Sequence, residues 1–285
     1  MRGGTLRFTT WWKAPALAVA VSTLASATPG QATENADAAS KSKSTMTTNP
    51  AANTAATTVT GRKATSVKAG ARLAPDRILI PAGPFVRGSK ESLDERPIET
   101  KRLPSFRIDR TEVTRAMYAR CVAAHKCAAP PDVDLEDKSD LPVTGVSWND
   151  ARAFCTFAKG RLPSEDEWEK AARGSDGRTF PWGEEADCTR ANWGNFDGEG
   201  PCRGKNPGEP SPVGSYPSGA SPYGVLDLGG NVWEWVAGRY EDEAGRRPVR
   251  GGSCCSYFVT PRAANRNAWA PDHRDQDLGF RCAGS

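Results

Sequence analysis

The sequence predicts a single compact α+β domain rich in irregular structure. Three observations carry that reading. The opening segment ILIPAGPFVRGS reads as strand, turn, strand; three short stretches carry helix-start signals; and the remainder is rich in Gly, Pro and Trp with few long periodic runs. In the opening segment, apolar and β-branched residues flank a Pro/Gly turn. One helix is predicted after Thr114, in TRAMYARCVAA, and a second after Ser147, in SWNDARAFCTFA. The third, in PSEDEWEKAAR, is the best marked, because Ser164 and Glu167 have the N-cap and N3 spacing of a capping box. Trp168, Ala171 and Ala172 share one face of it, which assigns Trp168 to the core. Short strands and turns follow, without an internal repeat.

The chain has 285 residues, enough for one large domain plus extra segments. Residues 1–27 read as an export signal. Arg2, Arg7 and Lys13 precede the apolar run APALAVAVSTLASA, and small residues allow cleavage after Ala27 or after Ala32. The run is shorter than the roughly 20 residues that span a bilayer, so the mature form is expected to have no stable membrane span. An uncleaved anchor is the alternative. Residues 28–73 are rich in Ala, Thr and Ser and nearly devoid of large apolar side chains, the composition of a flexible tether. The domain is predicted over residues 74–285, in the periplasm or outside the cell.

Charge is nearly balanced, 38 Lys and Arg against 34 Asp and Glu, and no basic stripe interleaves with aromatics; nucleic acid is not an expected partner. With only two histidines, His125 and His273, most zinc sites and most Ser-His machinery are excluded. An exported chain meets an oxidising compartment, so its eight cysteines are read first as disulfides. Cys121 and Cys127 flank a five-residue loop, and Cys188 and Cys202 bracket the ANWGNFDGEG turn; each spacing suits a local bridge. Spacing leaves the full connectivity open.

Cys254 and Cys255 stand side by side in VRGGSCCSYF. Their Cα atoms are about 3.8 Å apart across a trans peptide, below the roughly 4.4–6.8 Å that disulfides prefer. In extended backbone the two thiols diverge, unless the preceding Gly251-Gly252 lets the chain turn sharply. In DLGGNVWEW, Asp227 and Glu234 supply carboxylates and Gly229-Gly230 can turn carbonyls inward between them, a hard-oxygen set that suits calcium. Trp233 and Trp235 alternate around Glu234, so one is expected in the core and the other toward a groove.

Five strings read in order go beyond composition: ILIPAGPFVRGS with LDERP and FRIDRTEVT; PVTGVSWNDARAFCTFAKGRLPSEDEWEKAARG running into FPWG; GVLDLGGNVWEWV; VRGGS; and LGFRCA. Together they resemble the formylglycine-generating enzyme (sulfatase-modifying factor) family from about Arg77 onward. The resemblance implies a domain related to the C-type lectin fold. It also implies an oxidase that converts a sulfatase cysteine to formylglycine with copper held by two thiolates, although many members lack that activity. The thiolates belong at the third and eighth positions after Gly-Gly-Ser, which here hold Ser256 and Pro261, so copper is not expected. Ser253 matches a serine beside the copper site.

The resemblance further implies a Cys155–Cys282 bridge and a calcium site formed by the side chains of Asp227 and Glu234 with the carbonyls of Gly230 and Val232. A second calcium site would begin at Asn192 and the carbonyl of Trp193, with Asp197 the nearest candidate carboxylate. Arg250, Arg262, Arg266 and Trp235 fall near the family's substrate groove. Three functions fit: a divergent maturation or modifying factor acting on a peptide or protein substrate, catalytic through Ser253, Cys254 and Cys255; a non-catalytic, calcium-stabilised binding or scaffolding module; and, least favoured by the ligand positions, a copper-dependent oxidase.

Overall fold

A computed structural model describes residues 74–194, 202, 208–241, 245–255 and 261–285. The chain divides into Met1–Ala64 and Thr65–Ser285, and every described residue belongs to the second unit. The predicted signal segment and tether lie outside the described residues, as do Asp197 and Ser256.

Among the described residues nine short strands and three short helices follow one another, in keeping with the mixed, irregular architecture predicted. The ILIPAGPFVRGS segment forms β1 (Arg77–Ile80) and β2 (Gly83–Arg87). These two do not pair with each other. β2 pairs antiparallel with β3 (Glu99–Leu103), while β1 pairs antiparallel with β4 (Phe106–Asp109). The Pro81–Gly83 bend therefore hands the chain from one sheet to another rather than closing a hairpin.

The helices begin at the predicted caps. α1 (Arg115–Ala123) starts at Thr114, whose hydroxyl accepts from the Met117 N–H. α2 (Trp148–Phe157) starts at Ser147, where Asp150 completes a capping box. In α3 (Glu165–Arg173) the Ser164–Glu167 box forms in both directions, and Trp168, Ala171 and Ala172 are buried. One short 3₁₀ turn, Pro217–Gly219, follows.

The C-terminal strands are β5 (Trp233–Trp235), β6 (Arg247–Arg250), β7 (Arg266–Trp269), β8 (Leu278–Phe280) and β9 (Ala283–Gly284). They form a four-stranded sheet in the order β7-β6-β5-β8, while β9 completes a three-stranded sheet in the order β1-β4-β9. β5 and β8 run parallel, placing Glu234 opposite Gly279. The larger apolar cluster lies where α1 and α2 meet this sheet, with Tyr118 stacked on Phe154 and Phe280 edge-on to both. A second cluster gathers Trp168 of α3 with Ile80, Phe106 and Ile108. No helix among the described residues is long and apolar enough to cross a membrane.

Three disulfides, Cys121–Cys127, Cys155–Cys282 and Cys188–Cys202, are formed, leaving Cys254 and Cys255 as free thiols. The Cys155–Cys282 bridge spans 127 residues and ties α2 to the segment between β8 and β9. Asp109 clasps the same point, its backbone N–H donating to the Cys282 carbonyl and its carboxylate accepting the Cys282 N–H. Closing so long a loop restricts the unfolded chain by about 4–5 kcal/mol on the chain-entropy account. The double variant C155S/C282S is therefore expected to lose about that much stability, read by urea unfolding against the wild type under non-reducing conditions. A loss below about 1 kcal/mol would show that the other contacts hold this junction without the bridge.

Candidate functional site

Where β6 ends, the chain leaves the sheet through two glycines in left-handed backbone, Gly251 at φ 98° and Gly252 at φ 74°. Any side chain is strained at such φ values, and a Cβ on Gly251 would lie 3.2 Å from the Trp168 ring. The glycines deliver Ser253, Cys254 and Cys255 into a turn rather than an extended run. The divergence expected of neighbouring side chains in a strand is thereby lost. The two thiols lie in neighbouring positions of that turn, and both are unbridged.

Their surroundings differ. Cys254 is fully buried; its hydrogen bond to Cys255, reinforced by burial, pushes its thiol far up. Cys255 is half-buried, and the hydrogen bond from Cys254 pulls its thiol below the ordinary value despite nearby Asp277, Asp275 and Glu209. In its protonated form Cys255 donates to the Gly208 carbonyl at 3.1 Å. Its backbone N–H donates to the Ser253 hydroxyl oxygen at 3.2 Å, and the Ser253 hydroxyl donates to Asp277 Oδ2 at 2.5 Å. Burial raises the Asp277 carboxyl above its ordinary value.

Cys255 lies in the wall of a cleft of about 570 Å³, with Thr144, Leu141 and Pro210 among its lining. Asp132, Asp137, Glu209, Asp275 and Asp277 also face this cleft, against Arg115 and Lys138. The arrangement offers a nucleophilic sulfur, a hydrogen-bonded hydroxyl–carboxylate pair beside it, and a negatively charged approach. Sequence reading missed Asp277 and the acidic wall, although the DQD run of residues 275–277 carried the signal.

The predicted calcium segment lies under the same turn. Glu234 is fully buried and both of its oxygens are taken: Arg281 Nη2 and Nε each donate at 2.7 Å, and Trp168 Nε1 donates at 2.8 Å. With three donors satisfied, Glu234 does not fit a calcium ligand as it stands. Asp227, at φ 57°, accepts the Gly214 N–H at 2.6 Å and adjoins buried Glu112. One Glu112 oxygen accepts from Asn231 at 2.9 Å, while the other, Oε2, is buried without a hydrogen-bond partner. Burial and the Asp227 charge push the Glu112 carboxyl well up. Asn192, the first residue of the second predicted site, likewise has a buried side-chain oxygen without a partner. Gly230 is pressed so closely under it that a Cβ would lie 2.3 Å from the Asn192 carbonyl oxygen. Trp193 is buried beside the Cys188–Cys202 bridge. Among the described residues, no group of three or more His, Cys, Asp or Glu is arranged to hold a metal.

None of the four residues that the resemblance puts near the groove lines this cleft. Trp235 is fully buried and donates to the Val146 carbonyl at 2.9 Å; Trp233 is buried as well, and both meet Trp269 edge-on. Alternation fails to separate them because β5 is an inner strand with both faces covered. Arg250 is also buried, paired with Glu169 at 2.6 Å and Glu165 at 3.3 Å, so it braces α3 against β6. Arg266 pairs with Glu165 at 2.6 Å. Arg262 lines a separate cavity of about 260 Å³, where Glu95 holds it in a two-pronged pair at 2.7 Å. His273 stacks on Trp269.

Breaking the Glu234–Arg281 pair from one side leaves an uncompensated charge in the core, a loss of about 3–5 kcal/mol. The Arg281→Met variant is expected to show that destabilisation in denaturant unfolding. A change below about 1 kcal/mol would mean that Trp168 and relaxed neighbours suffice to hold the Glu234 carboxylate.

Residues 63–285 match the sulfatase-modifying factor enzyme 1-like domain family. A bovine protein named inactive C-alpha-formylglycine-generating enzyme 2 is 39% identical over 163 residues, covering 54% of this chain and 54% of that protein. The formylglycine-generating enzyme of Streptomyces coelicolor is 32% identical, covering 73% of this chain and 88% of that one. Among solved structures, PvdO from Pseudomonas aeruginosa superposes with a TM-score of 0.61 at 26% identity, over 75% of this chain and 95% of that one. The chain spans about half the length of the mammalian relatives it matches.

Proposed function

Because the chain belongs to the sulfatase-modifying factor family, we propose that it is a divergent maturation or modifying factor that takes a peptide or protein substrate at the cleft of Cys255. One observation carries this reading: Cys255, whose backbone N–H is held by the Ser253 hydroxyl and through it by Asp277, lines a sizeable cleft. The chemistry is not the copper-thiolate scheme, since Ser256 and Pro261 replace the family's ligand cysteines and Pro261 is buried. Ser253 orients the Cys255 backbone and Asp277 fixes Ser253, while Cys255 meets the substrate.

The protein works after export. The charged and apolar pattern of residues 1–27 supports a cleaved signal, residues 28–73 supply a tether, and three disulfides suit an oxidising compartment. Calcium stabilises the domain in this reading. Asp227 and Glu112 would hold one ion, because the unpartnered Glu112 oxygen and the carboxylate beside it favour a hard cation over desolvated negative charge. Asn192 would serve a second.

The alternative is a non-catalytic, calcium-stabilised binding or scaffolding module. Similarity to bovine and mouse proteins named inactive favours it, together with the loss of the copper ligand pair.

Alkylation of the folded, unreduced mature protein, followed by peptide mapping, tests the site. Cys255 should take the label, Cys254 should resist it, and the six bridged cysteines should be blocked. The same map should place the mature N-terminus after Ala27 or Ala32. An unlabelled Cys255 would remove the nucleophile and leave the binding-module reading. For calcium, the melting temperature should rise by several degrees on adding the ion to chelator-treated protein, and Asp227→Asn should abolish the rise. Identical melting curves with calcium and with chelator would dismiss the cation.

A further inference from the structure

One wall of the Cys255 cleft hangs on the residues proposed to hold calcium. Glu209 and Pro210 line that cleft, and the Cys255 thiol donates to the Gly208 carbonyl at 3.1 Å. Asn192 Nδ2 donates to the Glu209 carbonyl at 2.8 Å and to the Ser211 hydroxyl at 3.0 Å. Asn231 grips the same stretch twice: its Oδ1 accepts the Ser211 N–H at 2.9 Å, and its Nδ2 donates to the Ser211 carbonyl at 3.3 Å. That Nδ2 also donates to Glu112 Oε1 at 2.9 Å.

We infer that calcium held at Asn192 and at Glu112 sets the position of residues 208–211, with Asn231 the positioning residue that carries the effect to the cleft wall. Resting on the proposed cleft and the proposed calcium sites, this coupling regulates the one through the other.

Two oxygens give the coupling its direction. Asn192, Asn231 and Glu112 are all buried, yet Asn192 Oδ1 and Glu112 Oε2 accept no hydrogen bond. The Asn192 amide is not free to exchange its ends while the wall is in place. Turned over, it would set Oδ1 against the Glu209 carbonyl, two acceptors facing each other, and Nδ2 would lose its partners. The contacts that hold the wall are therefore the ones that leave Oδ1 without a donor. A hard cation, which takes amide, carboxylate and carbonyl oxygens together, satisfies such an atom. With Oδ1 on the ion, Nδ2 stays on Glu209 and Ser211; without it, the amide gains by turning and the wall is released. Glu112 works in the same sense: one oxygen on the ion leaves the other to keep Asn231 facing Ser211.

The backbone at Asn231 allows a clean test. Its φ is 61°, which glycine adopts freely, so Asn231→Gly removes the side-chain bonds without straining the turn. Two backbone bonds survive the change, from the residue 231 N–H to the Asn192 carbonyl and from the Cys254 N–H to the residue 231 carbonyl.

The experiment compares the full mature protein in calcium and in chelator, at a temperature where both are folded. Amide hydrogen exchange is read at Ser211, whose N–H reports its bond to Asn231, and iodoacetamide labelling is read at Cys255. Chelation should speed Ser211 exchange about tenfold, within the usual range for coupled sites, and should speed labelling as the Gly208 contact loosens. In Asn231→Gly, saturating calcium should still raise the melting temperature, while both rates lose their dependence on the ion. A purely structural role would change the rates equally with and without calcium. If calcium raises the wild-type melting temperature but leaves Ser211 exchange unmoved, the coupling is wrong and the calcium reading stands. An unmoved melting temperature sinks the calcium reading itself. A Cys255 that takes no label in either condition sinks the cleft reading, and Ser211 still decides the coupling. The positioning role is overturned if Asn231→Gly keeps the calcium dependence of Ser211 exchange or loses the melting rise. The wild-type comparison needs no variant, so it decides the coupling even where Asn231→Gly fails to fold.

Discussion

The buried pair of Glu234 and Arg281 is the constraint on which the rest of the structure depends. Neither side chain reaches solvent, so neither charge is stable without the other. Arg281 also donates to the Asp109 and Arg110 carbonyls, and Trp168 completes the Glu234 carboxylate from α3. One interaction thus aligns β5, the helix that backs it, the loop after β4 and the C-terminal segment. Its charge complementarity is directional, and it fixes register where short strands alone would leave it weakly specified.

That alignment decides where the thiols lie. Asn231, just before β5, accepts the Cys254 N–H through its carbonyl, and Asp277, just before β8, accepts the Trp233 N–H. The same Asp277 holds Ser253. A shift of β5 against β8 would move the Cys254 anchor and the Ser253 anchor apart. The two thiols are therefore seated on loop residues, but loops pinned by a two-strand register rather than by their own sequence.

Local signals were legible wherever a few neighbouring residues determine the outcome. Thr114, Ser147 and Ser164 each mark a helix start because capping is settled within one turn. The character of the opening strands was readable too, though not their partners, since Pro81 and Gly83 specify a bend and not the sheet beyond it. Alternation misled at Trp233 and Trp235 because an inner strand is covered on both sides. The partners of Arg250 were not legible, because its two glutamates come from α3, some eighty residues earlier. The cleft was invisible for the same reason: Asp132, Glu209, Cys255 and Asp277 meet only after four separate loops are folded. The turn that carries Cys254 and Cys255 depends on φ values that glycine permits without requiring.

The placement of the last strands carries a consequence for how the chain reaches this state. β8 fills an edge of the four-stranded sheet, β9 completes the sheet containing β1 and β4, and Cys282 lies between them. Two of the three sheets, the buried Arg281 counter-charge and the longest cross-link all wait for residues 278–284. A chain emerging from its N-terminal side carries an uncompensated Glu234 and an unpaired Cys155 until that tail arrives. Completing the domain therefore depends on non-local pairing that its last strands supply.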